Sequence, residues 1–482
     1  MVKKSFKEQQ KYLKKLPSSL RKLLQSYSLE QWLILIRQIN IEYSEKEIVF
    51  VEQKSEFLVV GADMALRICA NKSSNYPAPN TNNYRFLVNA DIQLADRNKN
   101  TLITMFGLGA IPLLAHWQNR FSYKQSNVIA RMHLLYKDYD KTFLEDLGFS
   151  LEDIYIITLV IYGFYGEGKN IYLRKEDLYH PKIKSLNIKK LTAFFDFFSI
   201  SQEGYIAKAK EEKIYNTSYG KFRFLIRYPI IEVENNKYII PVIEQFLDTV
   251  SNNLYFILLE HYIKQGQGKT YMDGFGDVLE RYVIEHAKYV FGNENIKRAD
   301  DIVTKKDENR CEIVAFYDNK ALAIEVKKLY FKRDAFIDKD KEYIDKVLKR
   351  HLVKAFKQIE NTFNYIDSEQ KYGLIVIPDV LLGFKMIISY LKKQFEGEAS
   401  YDKRISICTL SWFEELFANS ADNIFKVLNR AIKKSDNLGE GNDIYLELDE
   451  LDQEGQLGII KSNALLREYE ERILDDLEQY RK

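Results

Sequence analysis

Acidic and basic side chains that suit phosphate chemistry occur close together between residues 310 and 329, which read RCEIVAFYDNKALAIEVKKL. Two runs of β-favouring residues flank Asp318 and Asn319, and this pattern predicts a hairpin with a two-residue turn. Because side chains alternate along a strand, Glu325 and Lys327 are expected on the same face of the second strand. The predicted register is Phe316 with Ala321, Val314 with Ala323, and Glu312 with Glu325.

That register places two carboxylates, those of Glu312 and Glu325, opposite each other with Cβ atoms roughly 5 Å apart. Two like charges this close are unfavourable unless one is protonated or a cation lies between them. Mg²⁺ prefers oxygen ligands and is often held by two carboxylates together with substrate phosphate. Lys327 is placed to steady an attacking water or a phosphate oxygen. The alternative is an ordinary solvated strand face, and a turn one residue longer would break the pairing.

Two helices that flank the hairpin carry further polar residues. Glu280 lies on the apolar side of the first helix, at helical spacing with Val283, Ile284 and Ala287. A carboxylate in that position is costly without a partner. The second helix carries Gln358 at the edge of a predicted core stripe of Leu348, Leu352, Ala355, Ile359 and Phe363. Its other side is strongly basic, which indicates either a solvated face or phosphate contacts.

Taken in order, these residues resemble the motifs of the PD-(D/E)XK nuclease superfamily. Glu280 matches the acid of the first helix, and Glu325-Val326-Lys327 matches the E-x-K motif. Gln358 matches the polar residue of the later helix. Glu312 stands where the family usually has Asp, and its side chain is longer by one methylene, so an altered metal geometry is expected. Asp300 or Asp301 is an alternative ligand. The resemblance covers about residues 274–417.

The resemblance implies hydrolysis of phosphodiester bonds in nucleic acid with Mg²⁺ or Mn²⁺ as cofactor, and DNA is favoured over RNA. Glu280, Glu312 and Glu325 would hold the metal, and Lys327 and Gln358 would complete the catalytic set. The basic residues expected to contact nucleic acid are Lys328, Lys349, Arg350 and Lys354. Bacterial restriction or antiphage defence is expected by analogy alone. The competing hypothesis, favoured by Glu312, is a non-catalytic nucleic-acid-binding or scaffold protein with a degenerate nuclease fold.

The order of the helices and strands predicted around these residues indicates an α+β protein. A mostly helical region at 1–220, with helix caps at Ser28 and Ser150, precedes a connecting region at 221–263. The connecting region is expected to contain strands at Phe222–Ile226, Ile230–Val233 and Tyr238–Ile240, and a helix from Val242 to Tyr262. An α/β domain at 264–435, with a central mixed sheet flanked by helices, begins with a linker at 264–276. An acidic tail and helix follow at 436–482.

Composition limits the remaining possibilities. The 482 residues include 71 basic and 69 acidic ones, so the net charge of +2 gives no global sign of a nucleic-acid partner. Three widely spaced cysteines and the lack of a signal peptide or an apolar run of membrane-spanning length predict a cytoplasmic protein without a membrane partner. The six histidines lack zinc-ligand spacing. Through the N-terminal region the chain is expected to bind a protein partner or a second copy of itself.

Overall fold

The computed structural model describes the chain in separate stretches. They are residues 18–43, 58, 61–63, 65–66, 78–86, 125–166, 170–179, 187–211, 223–305, 309–330, 341–379, 384–395, 401–438, 450–451, 454, 463–469 and 471–472. These residues form two compact units. The first unit contains those within 1–104 and 136–258, and the second contains those within 105–135 and 259–474. The basic N-terminal residues and most of the acidic tail lie outside the described residues.

The first unit is mainly helical, as predicted. Its helices are Ser18–Ser26, Leu29–Tyr43, Asp140–Thr142, Leu151–Ile161, Lys175–Leu178, Ile188–Phe198, Gln202–Glu211, Arg223–Arg227 and Ile243–Thr249, with a 3₁₀ turn at Lys137–Tyr139 and π turns at Phe143–Leu147 and Tyr162–Gly166. Leu254–Lys264 crosses into the second unit. Ser28 and Ser150 both cap helices, because their hydroxyls accept the backbone N–H groups of Gln31 and Asp153.

A three-stranded sheet completes the first unit. Strand β1 (Ser199–Ser201) pairs in parallel with β2 (Ile230–Glu234), which pairs antiparallel with β3 (Lys237–Ile239). The predicted strands at Ile230–Val233 and Tyr238–Ile240 are therefore confirmed, each end to within one residue.

Two predictions for the connecting region are wrong. In place of the strand at Phe222–Ile226 the chain forms the helix Arg223–Arg227, because a short apolar run does not distinguish a helix from a strand. Arg227 holds this helix by donating to the carbonyl oxygen of Phe197 at 2.9 Å. The single helix expected from Val242 to Tyr262 is two helices, since the N–H of Asn253 turns back to the carbonyl of Asp248 at 3.0 Å.

The second unit is built on a mixed five-stranded sheet. Strands β4 (Ile296–Arg298), β5 (Ile313–Tyr317), β6 (Lys320–Val326), β7 (Gln370–Ile377) and β8 (Ile405–Thr409) lie in that order across the sheet. The pairs β4–β5 and β5–β6 are antiparallel, whereas β6–β7 and β7–β8 are parallel. Because β6 is the central strand, its middle five residues are buried.

Helices flank this sheet. They are α1 (Gln125–Tyr136), α2 (Gly268–Phe291), α3 (Lys341–Leu348), α4 (Lys354–Phe363), α5 (Phe384–Phe395), α6 (Leu410–Leu416) and α7 (Ala421–Leu438), with a short helix at Ala299–Ile302 and a 3₁₀ turn at Asn293–Asn295. A π turn at Lys349–Val353 joins α3 to α4. The predicted core stripe of these two helices is confirmed, since all five of its residues are buried. The predicted α+β class, with a helical N-terminal region and a mixed sheet flanked by helices, is confirmed.

The linker predicted at 264–276 is wrong, because α2 already begins at Gly268. The glycines that suggested a linker serve close packing instead. A Cβ on Gly268 would lie 2.6 Å from Cγ1 of Ile263, and a Cβ on Gly276 would lie 3.3 Å from Cδ of Lys328. Only residues 265–267 separate the helix Leu254–Lys264 from α2, and Gly266 among them has a φ of 75°.

Candidate active site

The hairpin of β5 and β6 is the scaffold of the site. Tyr317 pairs with Lys320, so the turn has two residues as predicted, and Asp318 takes a left-handed φ of 52°. The predicted pairs of Phe316 with Ala321 and of Val314 with Ala323 are confirmed.

The third predicted pair, Glu312 with Glu325, is not formed by the backbone. The regular ladder ends at Ile313 and Ile324, and the N–H of Glu312 donates to the carbonyl of Ile324 at 3.1 Å. This shift by one residue is of the β-bulge type. Its cause is that the chain leaves the ladder here, where the carbonyl of Glu312 accepts the N–H of Ala299 at 3.2 Å.

The carboxylates nevertheless share one electrostatic environment. The charge of Glu280 raises the pKa of Glu312, and both acidic groups raise the pKa of Glu325 through their charge. Helix α2, the residue before β5 and strand β6 therefore each place one carboxylate within electrostatic range of the others. The structure brings together the three acids that the sequence selected, and their catalytic role stays a prediction.

Glu325 has the most buried of these carboxylates. Its side chain is 0% exposed, one oxygen accepts a hydrogen bond from Nζ of Lys327, and Oε2 has no hydrogen-bond partner among the described residues. Burial, opposed by the positive charge of Lys327, raises the pKa of Glu325 to about 8. A buried carboxyl group with an unused oxygen can bind a proton or a cation with little further desolvation.

Glu312 is the second carboxyl group with a raised pKa. Burial and the nearby charge of Glu280 raise its pKa to about 7, against the opposing effect of Lys327 and Arg298. Arg298, at the end of β4, forms an ion pair with Glu280. The sequence analysis did not find Arg298, and no local signal points to it because Glu280 is 18 residues away.

Gln358 holds the chain just before Glu312. Its Nε2 donates to the carbonyl of Arg310 at 2.7 Å, and its Oε1 has no partner within the part of the chain that the structure describes. Two residues that the sequence analysis missed assist it: Asn361 donates to the carbonyl of Asn309 at 2.7 Å, and the hydroxyl of Thr362 accepts the N–H of Cys311 at 3.1 Å. Together these three side chains form a polar clamp on residues 309–311. Polar residues at helical spacing i, i+3 and i+4 are the signal that could have revealed it.

The predicted phosphate-contacting residues have different environments. Nζ of Lys328 donates to the carbonyl of Met272 at 2.6 Å and to Asp273 at 3.0 Å, across Gly276. Lys349 forms an i,i+4 ion pair with Asp345 at 2.9 Å. Lys328 and Lys349 are therefore already engaged with acidic groups of the same unit.

Arg350 and Lys354 are exposed and lie on either side of the half-buried His351 in the π turn. Burial and the charges of Arg350, Lys327, Lys328 and Lys354 lower the pKa of His351 to about 4. These basic groups therefore act on one point close to Lys327, and their combined charge favours an anion there.

Helix α2 is fixed by a buried network two residues from Glu280. The hydroxyl of Tyr282 donates to Glu414 at 2.5 Å, and Arg131 on α1 also donates to Glu414, through Nε at 2.5 Å, and forms an ion pair with Asp379. Because each charged group in this network has a partner, the network is well suited to hold α2 in one position.

The donor set is entirely oxygen, which suits a hard divalent cation. Asp300, the alternative ligand, forms an ion pair with Arg310 instead and is 71% exposed, and Asp301 is exposed as well. As the side chains stand, no group of three or more His, Cys, Asp or Glu among the described residues is arranged to hold a metal ion. At this site Lys327 and Arg298 lie against oxygens of Glu325 and Glu280.

Comparison of the chain with protein-family models, with curated proteins and with solved structures found no match. Of the helices in the described residues, none combines the length and apolar composition that a membrane span requires.

Proposed function

We propose that the chain is a metal-dependent nuclease that hydrolyses phosphodiester bonds, with DNA favoured over RNA as substrate. The observation that carries this proposal is the convergence of Glu280, Glu312 and Glu325 beside Lys327, with the pKa of two of the three carboxyl groups raised. Raised pKa values beside a specific charge partner are typical of functional sites. A role in bacterial restriction or antiphage defence is an extension of this proposal by analogy.

The chemistry of the three carboxylates suits Mg²⁺ or Mn²⁺, and side-chain movement would have to bring them around one ion, since the described residues show no such arrangement. The buried Oε2 of Glu325 lacks a partner among the described residues, and a cation there would satisfy it. A bound divalent cation supplies Lewis acidity, which polarises a phosphoryl oxygen and lowers the pKa of a water molecule.

The side chains of the chain itself have distinct roles in this proposal. Glu280, Glu312 and Glu325 provide the ligands, and Lys327, which is 15% exposed, stabilises negative charge on the phosphate. Exposed Arg350 and Lys354 attract the phosphate backbone. Gln358 positions the chain that carries Glu312, since its Nε2 donates to the carbonyl of Arg310.

A non-catalytic nucleic-acid-binding protein is the second candidate. The observation that favours it is that Lys327 and Arg298 already neutralise Glu325 and Glu280. A carboxylate cluster with its own cations can persist as a structural feature without a metal.

The two candidates differ in one assay. Purified protein is incubated with supercoiled plasmid, linear duplex DNA, single-stranded DNA and RNA, each with Mg²⁺, Mn²⁺ or EDTA. We expect metal-dependent cleavage that falls roughly 100-fold or more in both variants, because Lys327→Ala removes the charge that stabilises the phosphate and Glu325→Gln removes a metal ligand.

Lys320→Ala is the matched control. Lys320 begins the same strand and pairs with Asp422 at 3.5 Å, so its loss removes one positive charge from β6 outside the carboxylate cluster. Cleavage that survives both site variants would refute the site assignment. Metal-independent binding to DNA without cleavage of any substrate would favour the second candidate.

A further inference from the structure

Arg298 is the only residue of β4 that forms an ion pair with the carboxylate cluster in the described part of the chain. Its guanidinium contacts an oxygen of Glu280, and its charge also lowers the pKa of Glu312. The Arg298 side chain is 52% exposed, whereas that of Glu280 is 25% exposed. Among the described residues the cluster therefore has two paired cations, the enclosed Lys327 and the accessible Arg298.

We propose that Arg298 is an exchangeable counter-ion of Glu280: a divalent cation binds the carboxylate cluster only as the guanidinium of Arg298 leaves it. This inference rests on the proposed function, because it assumes that the carboxylates are metal ligands. It adds a competitor, contained in the chain itself, that sets how much free metal the site requires.

The argument for exchange is electrostatic and steric. A guanidinium and a metal ion that both contact the carboxylate of Glu280 would bring two positive centres within roughly 4–5 Å of each other, where their repulsion is strong. Lys327 is held against the fully buried Glu325 and has little room to leave. Arg298 extends from an edge strand, and its side chain is already half exposed. The guanidinium can therefore move fully into water with only a small change in its solvation free energy.

Exchange would also leave a positive charge beside the cluster that can bind an anion. A guanidinium released from Glu280 remains tethered to β4 beside the cluster, and its planar donors match two phosphate oxygens. The same residue would therefore neutralise the carboxylates before the metal arrives and attract an anionic group afterwards.

The alternative role of Arg298 is a structural tether between β4 and α2. Such a tether would contribute to stability and would leave metal affinity unchanged when removed. Lys297 offers a matched comparison, because it is the preceding residue on the same strand and its Nζ lies 5.4 Å from the ring centroid of Phe316 instead.

The test is calorimetric titration of full-length protein with MnCl₂ at fixed pH and salt, without nucleic acid. The proteins are the wild type, Arg298→Gln, Arg298→Lys and Lys297→Gln, with thermal melting in EDTA recorded for each. We expect Arg298→Gln to bind Mn²⁺ roughly twofold to fivefold more tightly than the wild type, as the loss of a half-exposed competing ion pair predicts. Arg298→Lys and Lys297→Gln should each stay within twofold of the wild type.

Equal Mn²⁺ affinity in wild type and Arg298→Gln, with a lower melting temperature in the variant, would overturn the inference in favour of the tether and leave the proposed nuclease intact. Equal tightening in Arg298→Gln and Lys297→Gln would also overturn it, because the effect would then be one of general charge. No Mn²⁺ binding by any of the four proteins would refute the metal site and the inference together.

Discussion

Replacement of Glu325 by glutamine should stabilise the metal-free protein, and the gain should be larger at pH 8 than at pH 5. Glu325 is completely buried, and its pKa rises from the ordinary value of 4.5 to about 8 in the folded chain. At about 1.4 kcal/mol per pKa unit, this difference corresponds to roughly 5 kcal/mol of folding free energy at high pH.

The sign of the effect follows from proton binding. Because the pKa is higher in the folded than in the unfolded protein, the folded protein holds an extra proton between pH 4.5 and about 8. Stability contributed by Glu325 is therefore present below pH 4.5 and is lost as the pH rises through 8. Glutamine resembles the protonated acid in shape and does not titrate, so its advantage is roughly 1 kcal/mol at pH 5 and roughly 4 kcal/mol at pH 8.

Differential scanning calorimetry of the full-length chain in EDTA measures this advantage. For a unit of this size, 1 kcal/mol corresponds to about 2–4 °C, so the gain in melting temperature should be roughly 6–12 °C larger at pH 8 than at pH 5. Glu369→Gln is the matched control, since Glu369 is exposed and the substitution should change little at either pH. An equal gain at both pH values, or a loss at pH 8, would show that Glu325 is not a buried acid whose ionisation is costly.

Two further predictions concern metal binding. Burial raises the pKa of Glu312 to about 7 and that of Glu325 to about 8, so protons compete with the cation for both carboxylates. Calorimetry should therefore show that Mn²⁺ affinity rises roughly tenfold or more from pH 6 to pH 7. Constant affinity over this range would contradict the prediction. Thr362→Val leaves the buried N–H of Cys311 without its acceptor. The substitution should lower the free energy of unfolding, measured by urea titration, by roughly 1–3 kcal/mol. It should also weaken Mn²⁺ binding several-fold. Thr270→Val, at an exposed position of α2, should do neither, and unchanged Mn²⁺ affinity in Thr362→Val would show that the clamp does not position Glu312.

Local patterns predicted much of the second unit correctly. The two-residue turn at Asp318 and Asn319 and the apolar stripe of α3 and α4 follow from strand alternation and helical spacing. The prediction of a linker at 264–276 was wrong because glycine occurs both in flexible linkers and where two elements pack closely. Only the packing of Gly268 on Ile263 and of Lys328 over Gly276 shows that close packing applies here.

The site was predictable to the extent that its residues are neighbours in a regular element. Glu325 and Lys327 follow from the two-residue period of a strand. The bulge-like shift at Glu312 was not predictable, because the carbonyl of Glu312 is drawn to Ala299 and the preceding residues to α4 by contacts between distant segments. Arg298 was missed for the same reason: its partner lies on another element.

The sequence by itself determined which acidic and basic side chains exist on the hairpin and the two flanking helices, since strand and helix periods follow from covalent geometry. Only the tertiary structure decided how those charges are neutralised. It buried Glu325 in the central strand of the sheet, brought Glu280 to Glu312, and supplied Lys327 and Arg298 as counter-ions. The reason is that desolvation and charge–charge energies depend on burial and on distances through space, which spacing along the chain does not encode.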